Sequence, residues 1–161
     1  GQPRAVTGSQ AHTGEAPETP GLRGSANGGI RRLRIDDATA GVLAEFVPEQ
    51  DLRGARIVTG RPWRYLPVVL RMSAITFAPV VIFRSGKYRP DTPRGRALIA
   101  HEVLHITQGR ELGRARFYGR YLRGQLGCGF RHDRHPMEVP CIALQREVRR
   151  VLESRGGGGT W

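Results

Sequence analysis

The sequence predicts an α+β domain of minimal size: a small sheet packed on one buried helix, with two further helices after it. Three observations predict it. Residues 73–77 and 80–84 are short runs rich in Ile, Val, Phe and Thr. Ala78-Pro79 separates them and Ser85-Gly86 follows, the pattern of two strands with a tight connection. Thr92-Pro93 then opens a helix, with Thr as cap and Pro at the first helical position. Ala97, Leu98, Ile99, Ala100, Val103, Leu104 and Ile106 fall on nearly every side of that helix, so it is expected to be buried all round. Phe117, Tyr118, Tyr121 and Leu122 form two i, i+4 pairs and predict a further amphipathic helix.

The remaining elements follow in chain order. Residues 30–35 read as a short strand. Asp36 or Asp37 caps a helix that runs to about Phe46, with Val42, Leu43 and Phe46 apolar, and Pro48 ends it. Residues 56–59 form a strand closed by Gly60 and Pro62. Gly109 or Gly113 stops the buried helix. The next helix spans 114–123, with Arg116, Arg120 and Arg123 as its polar stripe and Gly124 as its stop. Residues 124–135 read as mostly loop, and a last helix covers 136–153. The last of the predicted strands is expected to offer an edge to an extended peptide.

Composition bounds the rest. The 161 residues suit one domain, and the 39% apolar content implies that part of the chain carries no core. Residues 1–29 hold Val6 and Leu22 as their only large aliphatics, and Arg4 and Arg23 balance Glu15 and Glu18. Such a segment buries too little to offset its ordering entropy, so it reads as a disordered tail. Residues 30–154 read as the domain and 155–161 as a flexible end. The 22 Gly have no period of three, so collagen is excluded, and 11 Pro without sustained heptads exclude a coiled coil. No stretch of about 18 apolar residues free of charge occurs, so no spanning helix is expected. The net charge of +12 rests on Arg, since Lys87 is the single lysine, and it favours acidic partners.

The chemistry sits on the buried helix. His101-Glu102-Val103-Leu104-His105 is an H-E-x-x-H pentad. Two His at i and i+4 share one face, one turn apart, and their imidazoles can meet one zinc ion at about 2.0–2.1 Å. Glu102 between them can take a proton from bound water. An otherwise apolar helix does not bury two His and a Glu without partners. A third protein ligand is needed. A His at 111 after a Gly at 108 would give the short-range arrangement, but the chain has Gln108 and Glu111. The alternative is a Glu from a later helix. Glu138 opens the last helix 33 residues past His105, whereas Glu147 and Glu153 sit among Arg146, Arg149 and Arg150 as solvated charges. Glu111, His132 and His135 remain alternatives. Gln108 lies on the ligand face as a candidate partner of a ligand or substrate. Tyr118, Tyr121, His132 and His135 are candidate donors to an oxyanion. Cys128 and Cys141 read first as independent buried thiols, with a disulfide or a Cys128/His132/His135/Cys141 zinc knot as alternatives.

The run from Ala97 to Gln108 resembles the H-E-L-x-H-V-x-Q signature of a zincin-like bacterial family, the core domain of proteins associated with extracellular contractile injection systems. Ala74-Ile75-Thr76-Phe77, residues 80–84 and Gly86-Lys87-Tyr88 resemble the strand pair that leads into that helix. His135-Pro136-Met137-Glu138 resembles its later H-P-x-E segment. The resemblance implies a minimal zincin-like fold, Zn2+ as cofactor, and a gluzincin-type site completed by Glu138. It also implies a bacterial protein, kept in the cytoplasm or exported through a secretion or injection system. The chain departs from the pattern at Val139-Pro140-Cys141, and Ile142 stands where gluzincins carry an acidic residue.

The expected function is zinc-dependent hydrolysis of peptide bonds in a peptide or protein substrate, with Glu102 as general base. The alternative is a zinc-stabilised, Arg-rich binding module for nucleic acid or an acidic protein. Deleting residues 1–29 is expected to leave melting temperature and metal content unchanged. A large drop in melting temperature would show that the segment packs on the domain.

Overall fold

The computed structural model describes residues 31–60, 72–129 and 131–156, without the side chain of His132. The expected tail at 1–29 lies outside the described residues, as does 157–161; Arg155 and Gly156, expected in the flexible end, instead finish the last helix, Glu138–Gly156. Thr92 starts the helix on which the rest is arranged: its Oγ1 accepts from Gly95 N at 3.1 Å, and Pro93 follows. Gly95 is required there for a second reason, since a Cβ at this position would lie 1.8 Å from the Arg89 carbonyl oxygen.

The strands are β1 (Arg31–Leu33), β2 (Arg56–Thr59), β3 (Ala74–Phe77) and β4 (Val80–Phe83). The helices are α1 (Asp37–Leu43), α2 (Glu49–Gly54), α3 (Pro93–Leu112), α4 (Arg114–Gly127) and α5 (Glu138–Gly156), with a 3-10 turn at His132–Arg134. The four described strands form one mixed sheet in the order β1-β2-β4-β3. β2 runs antiparallel to β1 and parallel to β4, while β3 and β4 form an antiparallel hairpin through a cis Ala78-Pro79 bond. The last strand is therefore interior and presents no free edge, contrary to expectation: Arg56 to Val58 pair with Val80 to Ile82 on its second side. β3 takes the outer position.

One core joins the layers. Ile57, Val81 and Phe83 from the sheet meet Ile99 and Val103 from α3, Leu43 and Leu52 from α1 and α2, and Val148 and Leu152 from α5. α3 is packed chiefly against α5, which makes it the central helix as its all-round apolar pattern requires.

Several boundaries differ from the sequence reading. Asp36 does cap α1, accepting from Thr39 N at 2.8 Å, but the helix ends at Leu43. Pro48 does not simply end that segment; it is the N-cap of α2, six residues long with no visible apolar period. α4 passes through Gly124 instead of stopping there, and α5 begins at Glu138, not 136. Pro140 is then the third residue of α5. The N–H it lacks is one that has no acceptor within the helix at that position.

α2 earns its place through Asp51, which is 5% exposed. Its carboxylate accepts from Thr107 Oγ1 at 2.7 Å and from Arg110 Nε and an Arg110 terminal nitrogen at 3.0 Å each. Replacing Asp51 with Ala leaves two donors on α3 without their acceptor. The expected loss in urea denaturation is about 1–3 kcal/mol, with metal content retained.

Candidate metal centre

Helical spacing builds half of the site. His101 and His105 lie one turn apart on α3, ring centroids 5.1 Å from each other, and both are buried. The other half comes from the first residue of α5. Glu138 Oε2 lies 3.2 Å from His101 Nε2 and 3.3 Å from His105 Nε2, and the residue is 0% exposed. A carboxylate is favoured at a helix N-terminus, where unpaired N–H dipoles point outward. It is also held from a third helix: Tyr121 OH on α4 donates to Glu138 Oε1 at 2.8 Å. Burial, and then the adjacent carboxylate, push the Tyr121 phenol well above its ordinary range, so it stays a donor.

Gln108 orients His105. Its amide nitrogen donates to the Met137 carbonyl at 3.1 Å, which turns Oε1 toward His105 Nδ1 at 3.0 Å. Nδ1 must then carry a proton and donate it. This leaves Nε2 facing Glu138, the division of roles seen when an imidazole binds a metal through one nitrogen and is steadied through the other. Burial opposes charge on His105, but Cys141 and Glu138 outweigh it and hold the imidazole well above its ordinary value. A metal held between Nε2 and Glu138 would take the place of that second proton, and its binding would release it.

Glu102 is buried beside the pair. Thr76 Oγ1, from β3, donates to Glu102 Oε2 at 2.7 Å. Sequence reasoning singled out neither Thr76 nor its role, because nothing in a strand's composition says which helix residue it touches.

Cys141 is the donor that sequence reasoning left as an independent thiol. His101, His105 and Cys141 form a buried cluster whose ligand atoms lie within 4.8 Å of one another, close enough to hold a metal ion. Its spacing from Glu138, three residues along one helix, was the available signal. Cys141 Sγ lies 3.6 Å from His105 Nδ1, the nitrogen that Gln108 already engages, and not from Nε2. Burial pushes its thiol up against a smaller opposing pull from His105, and the sulfur donates to the Met137 carbonyl at 3.3 Å.

The other candidates fall outside this cluster. His135 is fully buried, yet both ring nitrogens serve the backbone: Nδ1 accepts from Met137 N at 3.1 Å and Nε2 donates to the Tyr121 carbonyl at 2.8 Å. It is a clip between α4 and α5, not a ligand or an oxyanion donor. Gly124 exists for that clip, since a Cβ there would meet His135 Nε2 at 2.5 Å. Tyr118 sits at the surface against the rings of Phe77 and Phe117. Glu111 is exposed beside Arg110, and Glu147 and Glu153 pair with Arg150 and Arg149 as expected of solvated charges. Cys128 and Cys141 are both free thiols, so the disulfide does not form, and Cys141 clusters with His101 and His105 instead of His135. The side chain of His132 lies outside the described residues.

Residues 35–113 match the family model of the eCIS core domain. The match supports an eCIS-associated family, and it contains Thr76, the whole pentad and Gln108. It stops where α3 ends, so Tyr121, Glu138 and Cys141 lie beyond it. No curated protein and no solved structure matches the chain.

Replacing Tyr121 with Phe removes the donor on Glu138 while keeping the ring. The expected result is a loss of affinity for an added divalent metal of about 10–100-fold, read by chelator competition, with the circular dichroism spectrum unchanged.

Proposed function

We propose that this chain is a zinc-dependent metallopeptidase of gluzincin type, with His101, His105 and Glu138 as protein ligands and Glu102 as general base. The observation that carries the reading is the approach of one carboxylate oxygen to both imidazole Nε2 atoms, at 3.2 and 3.3 Å. Three donors so placed fit around one ion with bonds of about 2.0–2.2 Å. Two imidazoles and a carboxylate suit zinc, and three protein ligands leave one position for water or substrate. When bound, zinc supplies Lewis acidity, lowering the pKa of a water toward about 7 and polarising the scissile carbonyl.

The chain's own groups do the rest. Glu102 accepts a proton from the attacking water and returns it to the leaving amine. Thr76 engages one oxygen of that carboxylate, which fixes its rotamer and leaves the other oxygen for the proton. Tyr121 steadies Glu138, and Gln108 keeps the Nδ1 proton of His105 away from the metal side. An extended peptide pairing with the outer edge of β3 passes beside Thr76 and hence beside Glu102.

One observation favours a second reading. Cys141 belongs to the buried cluster, and a metal held by His101, His105 and Cys141 would stabilise a non-catalytic, Arg-rich module for nucleic acid or an acidic protein. Metal analysis of three variants separates the two. With a catalytic site, Glu138→Ala loses zinc, Cys141→Ser keeps it at one ion per chain, and Glu102→Gln keeps zinc and fold but abolishes peptide hydrolysis. Zinc retained by Glu138→Ala and lost by Cys141→Ser would replace the enzyme by the module. A cobalt-substituted protein adds a direct check: thiolate ligation gives an intense near-ultraviolet charge-transfer band, and the catalytic set gives none.

A further inference from the structure

α4 is held to the domain along a narrow stripe. Phe117 is its one buried residue, and Tyr121 and Gly124 follow on the same side. About 100° per residue then places Tyr118, Leu122 and Leu126 together on a second arc, at i, i+4 and i+8. That arc is apolar and faces solvent: Leu122 is 63% and Leu126 65% exposed. The Phe77 ring, 6.5 Å from that of Tyr118 and itself exposed, extends the arc onto β3. The same spacing puts Arg114 on one flank of the arc and Arg116 and Arg123 on the other. No acidic residue occurs between Arg114 and Gly127.

We propose that this face of α4 seats on an anionic lipid surface. Two features select that occupant. The apolar side chains project from a convex helix surface and are bordered by arginines on both sides. That arrangement lets leucines enter the acyl boundary while guanidinium groups reach phosphate headgroups. Charge complementarity is one-signed, and the +12 of the whole chain adds long-range attraction. A nucleic acid would engage the arginines but leave Leu122 and Leu126 against its phosphates or in water. The mode is adsorption to the surface, since no helix among the described residues is long and apolar enough to cross a membrane.

The test is co-sedimentation of the full chain with vesicles of phosphatidylcholine and phosphatidylglycerol at 3:1, compared with pure phosphatidylcholine. The expected result is at least tenfold tighter binding to the anionic vesicles, weakened by added salt. Leu122→Ser with Leu126→Ser, and separately Arg116→Gln with Arg123→Gln, are each expected to weaken it at least tenfold. All four positions are exposed, so melting temperature serves as the control for fold. Undiminished binding by the leucine variant would overturn the proposal, because adsorption by charge alone needs no apolar arc. Equal affinity for neutral and anionic vesicles would overturn it too. So would failure to bind vesicles together with binding of an acidic amphipathic peptide, which would assign the face to a protein partner. The metal centre has no part in any of these outcomes.

Discussion

A helix buried on all sides that carries two imidazoles and a carboxylate sets the terms for everything around it. Burying a polar group without a partner costs several kcal/mol, on the order of 2–7, so each of the three needs a polar neighbour. The fold meets that demand from three directions. β3 supplies Thr76 to Glu102, α5 supplies Glu138 to both imidazoles, and the last turns of α3 itself supply Gln108 to His105. The neighbours need partners in turn, and α4 provides one through Tyr121. The packing of α3 against the sheet, α4 and α5 is thus arranged around polar contacts as much as around Ile99, Val103 and Val148.

This explains which parts of the molecule were legible in the sequence. Local signals were read well. Thr92-Pro93 marks the start of α3, Ala78-Pro79 the turn between β3 and β4, and the pentad the shared face of His101 and His105, because each acts within a few residues. Glu138 was placed by elimination and by resemblance, and its carboxylate does stand beside both rings. Contacts that depend on one element meeting another were not readable. Gly124 looked like a helix stop, when its missing Cβ makes room for the His135 ring. His135 looked like a site residue, when its ring ties two backbones together. α2 was hidden because Asp51 and Leu52 are its only buried residues, too few to show a period.

The eCIS core domain match divides the site in an instructive way. It covers β2 to β4 and α3, with the proposed general base Glu102 and the proposed ligands His101 and His105, and ends before the helices that bring Tyr121 and Glu138. Half of the site thus lies in the matched segment. The other half depends on how α4 and α5 return to α3, and both helices bring large side chains to that seam.

The return of α5 carries a consequence for how the chain comes apart. His105 and Glu138 are 33 residues apart, and α4 lies wholly between them. In the proposed site an ion bridging them would tie the ends of that span together as a crosslink does. Loop closure scales with the logarithm of length, about 0.6 kcal/mol per doubling, so such a tie restricts the unfolded chain as well as fastening the folded one. The sheet, α1 and α2 hold α3 through Asp51 and the apolar core, and α5 joins that core through Val148 and Leu152. The proposed tie would therefore span α4, a helix whose own buried anchor is Phe117 alone.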